Sequence, residues 1–318
     1  MNLDLKLDFE GLFKIRKYKK INDKEVTTYN SPWIKNLVVT AGLNALLNET
    51  KYLTHCRVGS SNIAPEPTDT DVKTLIGTEI ASNLSADNTT GNVYNTANDF
   101  YTWVRRKYLF GMGQAAGEVR ELAIGNNFGG TFICFSRTLV KDLATGNPIT
   151  ITIAPDEYLD VTYELRCYPS TLIQNMNLTT NTIGGTIAAQ LRPLSAGNSV
   201  LTNQTIDYGA PFRIIIDYPP AIYSTTDNLY NQSGVLGNIP TYAIDNNGLV
   251  SLLPYTSDSF SRQIQSFWDR SKIPGTTFRT ICILTTLGNY ALTFQNQQSK
   301  SPAQTMLLQF NIIVGRKV

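Results

Sequence analysis

Few residues in this chain have the type and spacing that chemistry needs. Of its 318 residues one is histidine, His55, inside Tyr52-Leu53-Thr54-His55-Cys56-Arg57-Val58. Zinc sites and Ser–His–Asp or Cys–His catalysis each require a histidine with well-placed partners. Neighbours on a strand point to opposite faces, so His55 and Cys56 cannot jointly grip a metal or form a dyad. A strand histidine with a satisfied hydrogen bond is expected. Paired carboxylates are the second possibility, because glycoside hydrolysis needs two across the scissile bond. The candidates are Asp156-Glu157 with Asp160, and Asp69 with Asp71. A turn after Pro155 explains the first set without catalysis, and Asp69-Thr70-Asp71 reads as capping. Gly111-Met112-Gly113-Gln114-Ala115-Ala116-Gly117 imitates a dinucleotide fingerprint. Its last interval is one residue too long, and the following helix and acidic ribose ligand are missing, so these are turn glycines. No Walker loop and no calcium loop is found. No catalytic, cofactor-binding or metal-ligating residue is assigned.

Basic and aromatic residues cluster twice: Lys14, Arg16, Lys17, Lys19 and Lys20 among Phe13, Ile15 and Tyr18, and Arg105-Arg106-Lys107 after Trp103. They read as solvated strand faces or lysine-guarded edges, or else as an electrostatic seam facing an acidic neighbour. A formal charge of +2 is too mild for nucleic-acid binding. No apolar run is long enough to span a bilayer. The opening Met1-Asn2-Leu3-Asp4-Leu5-Lys6 lacks a signal-peptide core, so synthesis in a cytoplasm is expected. Cys56, Cys134, Cys167 and Cys282 sit apart in apolar settings and read as buried free thiols. Charged residues make up 16% of the chain, below the ~25% of ordinary soluble domains, while 42% are hydrophobic. Asn, Thr, Ser and Gln must cover the surface, a neutral coat suited to packing against copies of the same chain.

The elements that would position these residues are strands. An N-terminal strand and Val26–Tyr29 form a hairpin around Asn22-Asp23-Lys24. A short helix near 41–48, capped by Thr40, places Leu43, Leu46 and Leu47 on one face. Residues 62–98 read as a long loop with one helical turn near Val72–Ile76. Because long ordered loops are uncommon, this one is a candidate contact surface. Strand signals return at 101–110, 117–124, 131–140, 149–153 and 158–168. The last alternates Leu159, Val161, Tyr163, Leu165 and Cys167 with Asp160, Thr162, Glu164 and Arg166. In the second half 186–191, 212–218, 277–286, 290–295 and 306–314 read as strands, with a tight turn at Leu287-Gly288-Asn289. A helix near 259–271 is expected there, capped by Asp258, with Phe260, Ile264, Phe267 and Trp268 on one face and Pro274-Gly275 as its stop. The fold class is therefore mainly β, as antiparallel β-sandwich domains with one or two short helices: an N-terminal domain over 1–169 and a C-terminal domain over 170–318.

Several segments share an order with a known family. Trp33 to Leu43, ending Asn36-Leu37-Val38-Val39-Thr40-Ala41-Gly42-Leu43, is similar to an "N-L-(I/V)-T-x-A-G-L" segment. Arg57-Val58-Gly59-Ser60-Ser61, then Pro65 to Thr70 and Leu75, resembles "V-G-x-G…P…T-D-T-x-L". Gly111 to Leu122 with Phe135-Ser136-Arg137-Thr138 resembles "G-x-x-x-G-x-(V/I)-x-E-L…F-S-R", and Asn147 to Arg166 completes the series. Together they resemble tailed-bacteriophage structural proteins of the tail, fibre, collar or baseplate type, over about residues 10–169. Past residue 170 only the β character and the closing strand Phe310 to Arg316 continue the likeness. The resemblance implies a non-enzymatic virion component, localised in the phage tail, collar or baseplate after synthesis in the host cytoplasm. It would be a homo-oligomer, trimer or higher ring, touching other tail or connector proteins. No catalytic residue or cofactor carries over. The 62–98 loop and the basic hairpin are the surfaces expected to meet neighbours. Two alternatives stand: a receptor- or carbohydrate-binding module at a fibre tip, using Tyr223 to Tyr242, and a depolymerase using Asp156.

Overall fold

The computed structural model describes residues 3–48, 51–81, 90–95, 99–170, 172–179, 186–193, 221–223, 243–245, 249–270, 276–285 and 288–317. The first strands are β1 (Leu3–Ile21), β2 (Lys24–Asn30), β3 (Ile34–Lys35) and β4 (Leu37–Val38), followed by helix α1 (Thr40–Leu47). Next come β5 (His55–Gly59), β6 (Leu75–Ala81), β7 (Thr90–Asn95), β8 (Asp99–Phe110), β9 (Gly117–Val119) and β10 (Glu121–Phe128). The middle holds β11 (Thr131–Leu139), β12 (Ile151–Ile153), β13 (Tyr158–Pro169), β14 (Gln174–Thr179) and β15 (Thr186–Pro193). The chain continues through β16 (Ala221–Tyr223), β17 (Ala243–Asp245), β18 (Leu249–Leu252) and β19 (Ser261–Trp268). It ends with β20 (Thr276–Thr285), β21 (Gly288–Lys300) and β22 (Met306–Arg316). The protein is mainly β and built of several sheets.

β1 organises the largest sheet, whose order is β18-β19-β22-β1-β13-β8-β7 with β2 and β3 also on β1. Its odd-numbered residues Leu3, Leu5, Leu7, Phe9, Phe13 and Ile15 are buried, and Lys6, Asp8 and Lys14 alternate with them on the wetter face. That period of two is what a strand with one covered face requires. Leu3 to Phe9 pair in parallel with Phe310 to Arg316 of β22, whereas Leu7 to Tyr18 pair antiparallel with β13. The β1–β2 hairpin turns at Asn22 and Asp23, with φ of 51° and 60°. These two left-handed residues make the turn that follows strand twist, and Asn and Asp tolerate it. A five-stranded sheet runs β4-β11-β10-β5-β6, and a six-stranded one β14-β15-β21-β20-β16-β17. Their apolar faces share one core with the large sheet, Leu5, Val58, Tyr163, Leu292 and Trp268 all belonging to it. The boundary at 169/170 does not separate the sheets, because β18, β19 and β22 join strands from the first half.

Several expectations need correction. The segment near 259–271 is the strand β19, not a helix. Ile264 and Trp268 are four apart, a spacing that satisfies helical and strand periods alike; the buried Ser266 between them shows the period is two. Phe267 consequently lies on the opposite, half-exposed side. Asp258 caps nothing: its backbone is left-handed at φ 64°, and it pairs with Asn44 of α1. The expected 62–98 loop contains β6 and β7, and Val72–Ile76 leads into β6 without a helical turn. Helix α1 forms where expected and buries Leu43, Leu46 and Leu47, but its N-cap is Val39, without a side-chain cap. Its far end is held by the second half of the chain, where Arg262 donates to the Leu47 carbonyl at 2.6 Å. A cation there satisfies an orphan carbonyl and complements the helix dipole. Residues 212–218, 286–287 and 274–275, and 224–242 from the Tyr223–Tyr242 stretch, lie outside the described residues.

Candidate functional site

The motif residues converge on a buried ionic cluster in the five-stranded sheet. Glu121 on β10 and Arg137 on β11 are fully buried, and Asp69 nearly so. Arg137 donates from Nε to Glu121 at 2.8 Å and from Nη1 to Asp69 at 2.7 Å, then to the carbonyls of Ile63 and Ala64. Glu121 also accepts the amides of Ser61, Lys73 and Thr74 at 3.0 to 3.3 Å. Burial of a charge is costly unless it is paired and hydrogen-bonded. Here every charge is, and the partners are main-chain groups of residues 61–74. The cluster therefore fastens an irregular segment to a sheet. Gly59, opposite Glu121, leaves the room: a Cβ there would lie 2.5 Å from Glu121 Oε1. Beside it Arg57 pairs with Asp71 and Glu79 and lies 4.3 Å over the Phe132 ring.

A second polar knot joins the sheets. Asn36 donates to Ser136 at 2.9 Å, and the hydroxyl of buried Tyr163 sits against Asn36 where Gly11 of β1 has no side chain. Burial pushes the Tyr163 hydroxyl well up, with the nearby polar groups of Asn36 and Ser136 acting in the opposite sense. Asn36 and Gly42 come from one motif segment and Ser136 and Arg137 from another, and the fold brings the two together around α1 and β11.

The two chemical clusters singled out on sequence, basic strand and carboxylates, meet each other. Lys19 pairs with Asp156 at 2.7 Å, Lys17 with Glu157 at 3.2 Å, and Arg16 with Asp160 at 2.7 Å. Glu157 further accepts the Ala154 amide and the Thr28 hydroxyl, so the 154–158 turn is clamped to the β1–β2 hairpin. The acidic neighbour of the basic seam is thus within the chain. Asp69 and Asp71 serve different cations, Arg137 with Lys73 and Arg57 respectively. His55 is half-buried on β5 with Nδ1 2.8 Å from Thr54 Oγ1, while Cys56 faces the core, as alternation requires. Cys56, Cys134 and Cys167 are buried and form no disulfide. Among the described residues no group of three or more His, Cys, Asp or Glu could hold a metal, and no helix is long and apolar enough to cross a membrane. Glu121 and Arg137 had escaped functional reading on sequence. Only Arg137 carries a signal of its own, as the one charge within β11; Glu121 directly follows Arg120 at the start of β10 and does not stand out.

Acid should loosen this architecture. For Asp69, burial pushes the carboxyl up, but hydrogen bonds from Lys73, the Glu66 amide and Arg137 outweigh it and hold it below the ordinary aspartate value. Glu157 and Glu10 are likewise lowered: burial opposes, and Ala154, Lys17 and Thr28, or Lys35 and Tyr168, prevail. A depressed folded-state value gives stability that is fully present above the unfolded-state value, about 4, and lost as pH falls through the folded one. Asp71, raised first by burial, acts in the opposite sense. With Glu10, Asp69 and Glu157, joined by the exposed Asp156, against Asp71 alone, the urea midpoint is expected to stay level from pH 7 to 5 and fall below pH 4. A midpoint that rises on acidification would contradict the assignment.

Comparison with family models, with curated proteins and with solved structures finds no match to this chain.

Proposed function

We propose that this chain is a non-enzymatic structural protein of a tailed-bacteriophage virion, a fibre, fibre adaptor or ring subunit of the tail, collar or baseplate. It assembles with copies of itself and contacts other virion proteins. The observation that carries this reading is the use to which the motif residues are put. Asn36, Asp69, Glu121, Ser136 and Arg137 are bound to one another and to main chain in buried knots, a use that suits architecture and needs no substrate. The carboxylates suited to sugar chemistry are tied to Arg16, Lys17 and Lys19, which supports the same view.

Self-association is tested by light scattering after gel filtration and by native mass measurement of the purified protein. A discrete closed oligomer, trimer or larger, is expected; a monomer at high concentration would overturn the proposal. Asp156→Asn is expected to leave assembly and folding unchanged, since its ion pair with Lys19 is exposed to water and screened. A polysaccharide-cleaving activity present in the parent protein and absent from that variant would instead place it among depolymerases.

A further inference from the structure

The outer face of the large sheet carries a layered arrangement that the assembly reading leaves unused. Glu10, Asp160 and Glu164 lie at the bottom, 9%, 2% and 1% exposed. Arginine and lysine side chains reach over them. Glu164 accepts Nε of Arg105 at 2.5 Å and Nε of Arg166 at 2.6 Å. Those two bonds hold the guanidinium groups over aromatic rings: Arg105 is 4.4 Å from the centre of Trp103 and 5.3 Å from that of Trp33, and Arg166 is 4.6 Å from that of Tyr101. Tyr101, Trp103, Arg105 and Lys107 alternate on β8 and are half-exposed, and the Arg105 side chain is 38% exposed.

Around Tyr101, Trp103, Arg105 and Lys107 this face is therefore cationic and aromatic toward water, because Glu10, Asp160 and Glu164 lie underneath; the exposed carboxylate of the same face, Asp8, sits at its edge near the start of β1. The buried Glu164 fixes both arginines in advance, so little side-chain freedom is lost when a ligand arrives. Successive cations on β8, Arg105 and Lys107, are two residues apart, about 6.8 Å along a strand. An extended peptide laid along β8 repeats its own same-side residues at that distance. We infer that this face docks an extended acidic segment of a partner protein, with carboxylates on alternate residues meeting the Arg105–Arg166–Lys107 group and the intervening side chains lying on Trp103 and Tyr101. This rests on the assembly reading and extends it by giving the chemistry of one neighbour.

The test uses the full-length assembled protein and a fluorescent peptide of alternating glutamate and serine, with a peptide of the same composition in two blocks and an alginate chain as comparisons. Anisotropy should report binding of the alternating peptide that weakens as salt rises. Tryptophan emission should change with it, since Trp33 and Trp103 lie at the face while Trp268 is buried. Arg105→Gln should weaken binding roughly tenfold, the worth of a charge-assisted contact. If that variant fails to fold, Lys14→Glu reverses a half-exposed charge on the same face without touching Glu164 and should weaken binding comparably. Alginate binding without peptide binding, equal binding of the block peptide, or no binding at all would each overturn the inference. Oligomer mass, measured on the same samples, separates the two ideas. A variant that dissociates the oligomer makes this a face between copies and sinks the docking inference alone, whereas a monomeric parent sinks the assembly reading.

Discussion

Replacing Arg137 with methionine is expected to lower the free energy of unfolding by roughly 3–5 kcal/mol, the cost of stranding buried charges. The side chain is fully buried and lies between Glu121 and Asp69. Methionine fills much of the same volume, so the loss should be electrostatic and not a cavity. Asp69 keeps Lys73, and Glu121 keeps three amides, but neither retains a buried counter-charge. Two further effects should accompany the loss. The carbonyls of Ile63 and Ala64 lose their donor, so the 61–74 segment should become a preferred site of protease cleavage before global unfolding. Adding Glu121→Gln should recover part of the loss, since the two residues share one network and their effects cannot be additive. Urea unfolding of the single and double variants checks this. A single-variant loss below about 1 kcal/mol would mean that the cluster is solvated and does not fasten the segment.

The second large effect is expected at Gly42. Alanine in a helix is favoured over glycine by up to about 1 kcal/mol, so local preference alone predicts stabilisation. The tertiary structure reverses the sign. A Cβ on Gly42 would lie 2.1 Å from the Phe135 carbonyl oxygen, which is main chain of β11 and already accepts the Val39 amide at 3.0 Å. Neither side can yield without moving α1 off the sheet, and overpacking of that kind costs about 1–3 kcal/mol and sometimes more. Gly42→Ala should therefore be destabilising on balance. Gly42→Val should be worse, since its second branch adds volume and a helix penalty. Circular dichroism melts of the two variants order the effects; an alanine variant as stable as the parent would show that the helix can step away from β11.

The consequences of these two substitutions mark the limit of what the sequence could say. Local periodicity identified β1, β5, β11 and β13 as strands and α1 as a helix, because each has an unambiguous buried face, such as Leu159, Val161, Tyr163, Leu165 and Cys167. It failed at β19, where Ile264 and Trp268 fit two periods and only pairing with β22 and β18 chose between them. It failed also at β6, whose partner β5 lies some twenty residues earlier and supplies the ladder that the Gly- and Thr-containing segment could not advertise by itself. The candidate clusters were legible as residue types. Lys17, Lys19, Asp156 and Glu157 were each visible as charged groups, yet nothing local to either stretch says that 137 residues of separation close into an ion pair.

The sequence by itself determined the strand-rich class, the sparse histidine and charge, and the alternation that gives each sheet a dry side, since all of these depend on neighbours within a few positions. Only the tertiary structure decided that Glu121, Arg137 and Asp69 share one buried site, that β22 returns to lie parallel to β1, and that Glu164 sits beneath two arginines. Those are matters of long-range register. Side-chain alternation fixes which face a residue occupies but not which strand lies beside it, and a charge inside an apolar run acquires its meaning from the partner that the neighbouring strand supplies.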